Sequence, residues 1–265
     1  MRTRILLALA SLYLAGCATL VPVPEQQNAT PDAANAAWDR VLDRHVDEQG
    51  RVDYRGLSRG TVSPDHGQGR RDLDLYVGWL ATHGPQASPA LFPTPQHVLA
   101  HHLNAYNALA MYNVVQAGVP QSLSAYGLVK FFWVRELRID GRQQSLYSYE
   151  KRIRALGDAR IHFALNCMAA GCPRLPRRPF YPATLETDLD RETRFFFAEP
   201  RNLALEHARR VVRVTEIMRF FPEDFLATAP SLIAYVNRYA AEKVPEGYAL
   251  EFIPYDWNVA AQPVR

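Results

Sequence analysis

The chain has 265 residues, 48% of them hydrophobic, with 30 basic and 27 acidic side chains for a formal net charge of +3. That hydrophobic content supports a sizeable core. The near-balance of charge argues against nucleic acid as a partner, because no basic footprint is available to neutralise phosphates.

Arg2 and Arg4 precede an apolar run that ends in Leu14-Ala15-Gly16-Cys17. The run is too short to span a bilayer as a helix and reads as a secretory signal over residues 1–16. Its ending resembles the bacterial lipobox, which implies that Cys17 is acylated and becomes the new N-terminus. Removal of the signal leaves 28 basic against 27 acidic residues, a charge of +1. Residues 17–32 are rich in proline and polar side chains without apolar periodicity, and are expected to form an acylated cysteine followed by a flexible tether. One globular domain is expected over 33–259, with 260–265 as a tail.

Apolar spacing predicts a helix from Ala34 to Val46, then a turn and short extended piece at Gly50–Tyr54, and a second helix from Leu73 to Thr82. Thr94 as cap, Pro95 in the first turn and Gly118 before Pro120 bracket a long helix over Gln96–Ala117. Phe131–Val134 and Leu137–Ile139 are expected as extended segments of a hairpin turning at Asp140-Gly141. Tyr147–Leu156 reads as helix and Arg160–Asn166 as a short buried strand. A helix from Thr184 to Ala198, a strand at Val211–Val214, helices at Phe221–Leu226 and Pro230–Glu242, and a strand at Leu250–Tyr255 complete the pattern. The class is α+β, mainly helical, with a small and mostly antiparallel sheet.

The chemistry concentrates in Arg160–Leu175, which holds His162, Cys167 and Cys172. A thiol becomes a nucleophile when a neighbouring imidazole takes its proton or stabilises the thiolate. In a continuous strand, residues five apart face opposite ways, so His162 and Cys167 meet only if the backbone bends just past Asn166. The same two cysteines fit a small disulfide in an oxidising compartment. A zinc site built on His162, Cys167 and Cys172 lacks any paired ligand spacing, and neither metal nor cofactor is expected. On the long helix, Asn104 and Asn107 share one surface. Their amides either satisfy an adjacent loop or orient a catalytic imidazole or a carbonyl. Tyr106 lies between them. His101 and His102 point about 100° apart on a helix and are explained by packing or exposure. Glu150 is either an acidic partner for His162 or half of a surface ion pair with its arginine neighbours.

Asn104-Ala-Tyr106-Asn107, Arg160-Ile-His162-Phe-Ala-Leu-Asn-Cys167, Cys172-Pro173 and Tyr255-Asp256-Trp257 together resemble the bacterial family called domain of unknown function 547. The resemblance also takes in Val52-Asp53-Tyr54, Ser145 through Glu150, and Val214 to Phe225. In that family the position of Cys167 is regularly cysteine, whereas that of Cys172 can be serine. This implies Cys167 as the nucleophile and weighs against an obligatory disulfide. The sequence departs from the family at His101-His102, where aromatic residues are usual, at Tyr149, and at Gly171, often serine.

The expectation is a membrane-anchored envelope lipoprotein with a Cys-His thiol hydrolase or acyltransferase site acting on an amide or ester. Cys167 attacks, His162 is the base, and Asn104 or Asn107 holds the imidazole or oxyanion. Tyr106, Glu150, Arg160 and Cys172 support the substrate or the site. The logic is that of papain-like and transglutaminase-like proteins, with the parts in a different chain order. The alternative is a non-catalytic envelope module with a Cys167–Cys172 disulfide. The expected partners are the bilayer, through acylated Cys17, and an envelope peptide, protein or glycan. Ala18 in place of an aspartate favours the outer membrane, facing the periplasm.

Overall fold

The computed structural model describes residues 18–24, 28–57 and 64–263. The expected signal segment 1–16 and Cys17 lie outside the described residues. Strand β1 (Thr19–Leu20) is followed by helices α1 (Pro31–His45), α2 (Pro64–Leu80), α3 (Pro95–Gln116) and α4 (Leu123–Tyr126). The hairpin β2 (Arg135–Ile139) and β3 (Arg142–Ser145) leads into α5 (Leu146–Arg154). After α6 (Leu185–Ala198) come β4 (Leu203–Glu206), β5 (Val211–Thr215), α7 (Ile217–Phe220), α8 (Pro222–Leu226), α9 (Leu232–Tyr239) and β6 (Ala249–Ile253). The class is α+β, as expected, but the strands form two mixed sheets of three, ordered β1-β2-β3 and β4-β5-β6. In each, one pair is parallel and the other antiparallel.

The first core is organised by α3. Thr94 caps it by accepting the His97 N–H at 3.3 Å, Pro95 fits the first turn, and Gly118 at φ 79° ends it. Every residue from Ala100 to Val114 is buried, so this helix is enclosed on all sides rather than amphipathic. Around it pack α1 and α2, where Trp38 stacks on Tyr76 at 5.5 Å and Arg40 pairs with Asp72 at 2.6 Å. A second apolar cluster, including Phe163, Phe196, Phe225 and Tyr235, joins α6, α8 and α9 to the second sheet.

Four local expectations are corrected. Residues 18–24 lie on the domain instead of forming a tether: Val21 is 1% exposed, its N–H reaches Glu136 O at 2.8 Å, and Tyr112 donates to Pro22 O at 2.7 Å. Lys130–Val134 winds as a π-helical turn in which adjacent Phe131 and Phe132 are both buried. The Arg160–Asn166 run is not a strand but starts as a 3-10 turn over Ala159–Phe163, capped by Asp158. Continuous burial does not separate the two conformations, and here Ile161 and Phe163 go to different apolar clusters. Finally, the 260–262 portion of the expected tail is paired to the body, with Val52 N–H to Ala260 O at 2.9 Å and Gln262 N–H to Val52 O at 3.0 Å. The hairpin turn is as expected: Asp140 and Gly141 both have positive φ, 54° and 76°, as a type I′ turn requires.

Burial of α3 makes the protein acid-sensitive. Desolvation lowers the pKa of His101 well below 6.5 and that of His102 from 6.5 to about 4. The unfolded chain therefore binds more protons than the folded one as pH falls below 6.5, so stability is complete above that value and is lost on the way down to about pH 4. For His102 alone the loss is about 3 kcal/mol. His102 Nδ1 meets the Tyr149 hydroxyl at 2.8 Å, a contact that glutamine can preserve without titrating. Urea denaturation at pH 7 and pH 4.5 should show a smaller acid-induced loss in His102→Gln than in the wild type; an equal loss rules out His102 as a source.

Candidate active site

The bend expected just past Asn166 is present and is held by amides. Asn107, from α3, donates to Ala164 O at 3.0 Å and accepts the Asn166 N–H at 2.7 Å. Asn166 in turn accepts the Met168 N–H at 2.6 Å and donates to Pro173 O at 2.7 Å. Met168 takes a left-handed conformation at φ 71°, which reverses the chain directly after Cys167. The return brings Cys172 back, with its N–H on Ala169 O at 3.0 Å. Cys167 and Cys172 form a disulfide, Cα atoms 6.3 Å apart. The Tyr255 hydroxyl lies 3.3 Å from Cys167 Sγ and 2.9 Å from Cys172 Sγ. Burial raises its pKa, so it remains a protonated hydroxyl.

His162 reaches the same region from the 3-10 turn. Its Nε2 lies 2.7 Å from Asp224 Oδ2, and its ring stacks on Phe221 at 4.6 Å. Arg154 Nε donates to the same Asp224 oxygen at 2.6 Å, while its Nη2 reaches Glu223 at 2.5 Å. Burial lowers the imidazole pKa, with Asp224 opposing the shift. Burial acts to raise Asp224, but the bonds from His162 and Arg154 outweigh it and hold the carboxyl down to about 2. The pair at neutral pH is thus a neutral imidazole donating Nε2–H to a carboxylate, which leaves Nδ1 as the proton-accepting nitrogen.

His162, Cys167 and Cys172 line one cavity of about 490 Å³ together with Tyr106 and Glu150. Tyr106 donates to Glu150 Oε2 at 3.0 Å. Burial raises the Glu150 pKa, and this hydrogen bond opposes the rise. A larger cleft of about 570 Å³ touches Cys172 but neither His162 nor Cys167, so the smaller cavity is the one that combines sulfur with imidazole. Among the described residues, no group of three or more His, Cys, Asp or Glu side chains converges as metal ligands would.

Five of the residues singled out from sequence therefore share the cavity: Tyr106, Glu150, His162, Cys167 and Cys172. Three do not. Asn104 is committed to Phe180, donating to its O at 2.8 Å and accepting its N–H at 2.9 Å. Asn107 is committed to the Ala164–Asn166 backbone, so neither amide orients the imidazole; buried amides must be satisfied, and these two are satisfied by loop backbone. Arg160 binds Asp158, Glu186 and Asp190, tying the 3-10 turn to α6. Glu150 is paired with Tyr106, and the acid that holds His162 is Asp224. Sequence reasoning gave no site role to Asp224, 62 residues away in the chain, to Arg154 or to the Tyr255 hydroxyl, although the family resemblance took in Asp224 within Val214–Phe225 and Tyr255 within the closing Tyr-Asp-Trp motif.

Residues 92–197 match the family model described as Protein of unknown function, DUF547, which supports the family resemblance over that span. The span contains His162 and both sulfurs but stops short of Asp224 and Tyr255. No curated protein and no solved structure matches the chain.

Because Asp224 raises the imidazole pKa against the burial that lowers it, Asp224→Asn should lower the His162 titration further. NMR of the histidine ring across pH 4–8 reads this directly; an unchanged or higher midpoint contradicts the assigned pair. Asn107→Ala removes both hydrogen bonds from a buried loop and should cost on the order of 2–4 kcal/mol in chemical denaturation, and a cost near zero means the loop is held by something else.

Proposed function

We propose that this is a lipid-anchored envelope protein whose cavity performs thiol-dependent acyl transfer or hydrolysis on an amide or ester, with the disulfide as its resting form. The observation that supports it most is the presence on one cavity wall of Cys167 and of an imidazole already held by a carboxylate. The cycle begins when a dithiol reductant opens the disulfide, leaving Cys167 and Cys172 as thiols and the reductant oxidised. His162 Nδ1 takes the Cys167 proton as sulfur bonds to the carbonyl carbon. The Tyr255 hydroxyl donates to the developing oxyanion in place of the asparagines. The imidazolium then protonates the leaving amine or alcohol. Water or an acceptor nucleophile attacks the thioester, gives its proton back to His162 and releases Cys167. Asp224, ionised throughout, stabilises the imidazolium between these steps.

A second reading, a binding module without catalysis, is favoured by the disulfide itself, which leaves no thiol to react. The address rests on the lipobox-like ending at Cys17: metabolic labelling with a palmitate analogue should mark the wild type and fail in Cys17→Ala.

Iodoacetamide labelling of the full chain separates the two readings. Catalysis requires no labelling before reduction, rapid labelling of Cys167 after brief dithiol treatment, and a rate at least tenfold lower in His162→Ala. If Cys167 labels no faster than an ordinary thiol, or if His162→Ala leaves the rate unchanged, the thiol-enzyme reading fails. In that case the disulfide is a staple, and Cys172→Ser should cost about 2–4 kcal/mol.

A further inference from the structure

The walls of this cavity are unusually aromatic and its charges do not balance. Phe132, Trp133, Tyr147, Phe220, Tyr255 and Trp257 outnumber the aliphatic side chains on the wall. Three of these rings form the rim: Trp133 is 47% exposed, Tyr147 39% and Phe220 38%, with Trp133 stacked on Tyr147 at 4.6 Å. Glu150 and Glu223 line the cavity, and Arg154 is the one cationic side chain on its wall among the described residues. That guanidinium is already bonded to Glu223 and Asp224 and lies over the Phe221 ring at 4.3 Å. It supports Glu150 only at a distance, and no cationic side chain among the described residues is bonded to that carboxyl.

An anionic ligand meets like charge here and finds no free donor cation. A purely aliphatic ligand leaves the carboxylate of Glu150 buried beside it, uncompensated. A positively charged nitrogen bearing alkyl groups meets both demands: aromatic faces attract it through their quadrupoles, the carboxylate balances it, and its methyl or methylene groups fill apolar space. We infer that the cavity binds an organic ammonium group, an alkylated cationic nitrogen seated between the aromatic rim and Glu150. The inference goes beyond the acyl-transfer reading and does not need a reactive sulfur. It is therefore tested on the disulfide-intact chain, where neither Cys167 nor Cys172 is a free thiol.

Trp133 and Trp257 both line the cavity, so intrinsic fluorescence reports its occupancy. The probes are choline and its uncharged isostere 3,3-dimethyl-1-butanol, titrated into the full-length oxidised protein. Choline should bind at least tenfold more tightly than the neutral alcohol. Glu150→Gln keeps an acceptor for Tyr106 and should weaken choline by roughly 3- to 10-fold while changing the alcohol by less than twofold. Trp133→Leu, at an exposed position where folding is not at stake, should weaken choline by a similar factor. Equal binding of the two probes, binding of neither, or choline affinity that is indifferent to both variants in folded protein overturns the inference. Labelling of Cys167 after reduction is independent of every one of these results.

Discussion

The structure depends on the amides that α3 carries into its own buried surface. A helix enclosed along Ala100–Val114 cannot leave a carboxamide unsatisfied, since a buried unpaired polar group costs about 1–3 kcal/mol. Each of its three asparagines therefore binds a separate loop. Asn104 takes both polar groups of Phe180, and Asn107 takes the backbone before Cys167. Asn113 donates to Phe131 O at 3.2 Å and accepts from Arg135 at 2.6 Å, fixing the π-helical turn that presents Phe132 and Trp133. The helix acts as a template: two of the three clamps hold segments that form the cavity wall. The most rigid element thus positions side chains that none of its own asparagines touches.

Two carboxyl groups near the cavity are driven apart in pKa by their surroundings. Asp224 has a guanidinium and an imidazole on it and is held down to about 2, whereas Glu150 is raised by burial, against a hydrogen bond from a phenol and the more distant charge of Arg154. Such divergence separates a permanently ionised orienting group from one whose charge depends on what enters the site. Asp224 belongs to the first kind: it fixes the imidazole tautomer whether or not the cavity is filled. Glu150 belongs to the second, because burial works against its ionised form and an opposite charge brought close favours it.

Local rules made some of this visible in the sequence. Thr94, Pro95 and Gly118 delimited α3 to within a residue because caps and breakers act through adjacent backbone. Asp140-Gly141 specified its turn for the same reason, and the small residues after Asn166 marked the reversal. What stayed hidden is non-local. The pairing of His162 with Asp224 requires α8 to dock on the 3-10 turn, which no periodicity encodes, so Glu150, closer in sequence, looked like the acid. Burial of successive residues at Phe131-Phe132 and at Ile161–Asn166 removes the alternation that distinguishes strand from helix. The strand at Thr19–Leu20 is two residues long, and its order comes from Val21 entering the core rather than from any pattern of its own.

The clamp also bears on what holds the loop around the disulfide. If the sulfur–sulfur bond were what shaped residues 166–173, opening it would release the loop and the site with it. Instead the loop is fixed at its start by Asn107, across its ends by the bond from Asn166 to Pro173, and along its length by backbone bonds from Ala170 to Asn258 at 2.7 Å and from Gly171 to Asp256 at 2.8 Å. A disulfide acts chiefly on the unfolded chain, and with a sequence separation of only 5 it removes less entropy there than one closing a long loop, about 2 kcal/mol. Opening the cross-link in the folded protein leaves these hydrogen bonds to hold the loop, at a cavity wall shared with a carboxylate-held imidazole. The proposed thiol chemistry requires that persistence, because the site must outlast the bond that is opened.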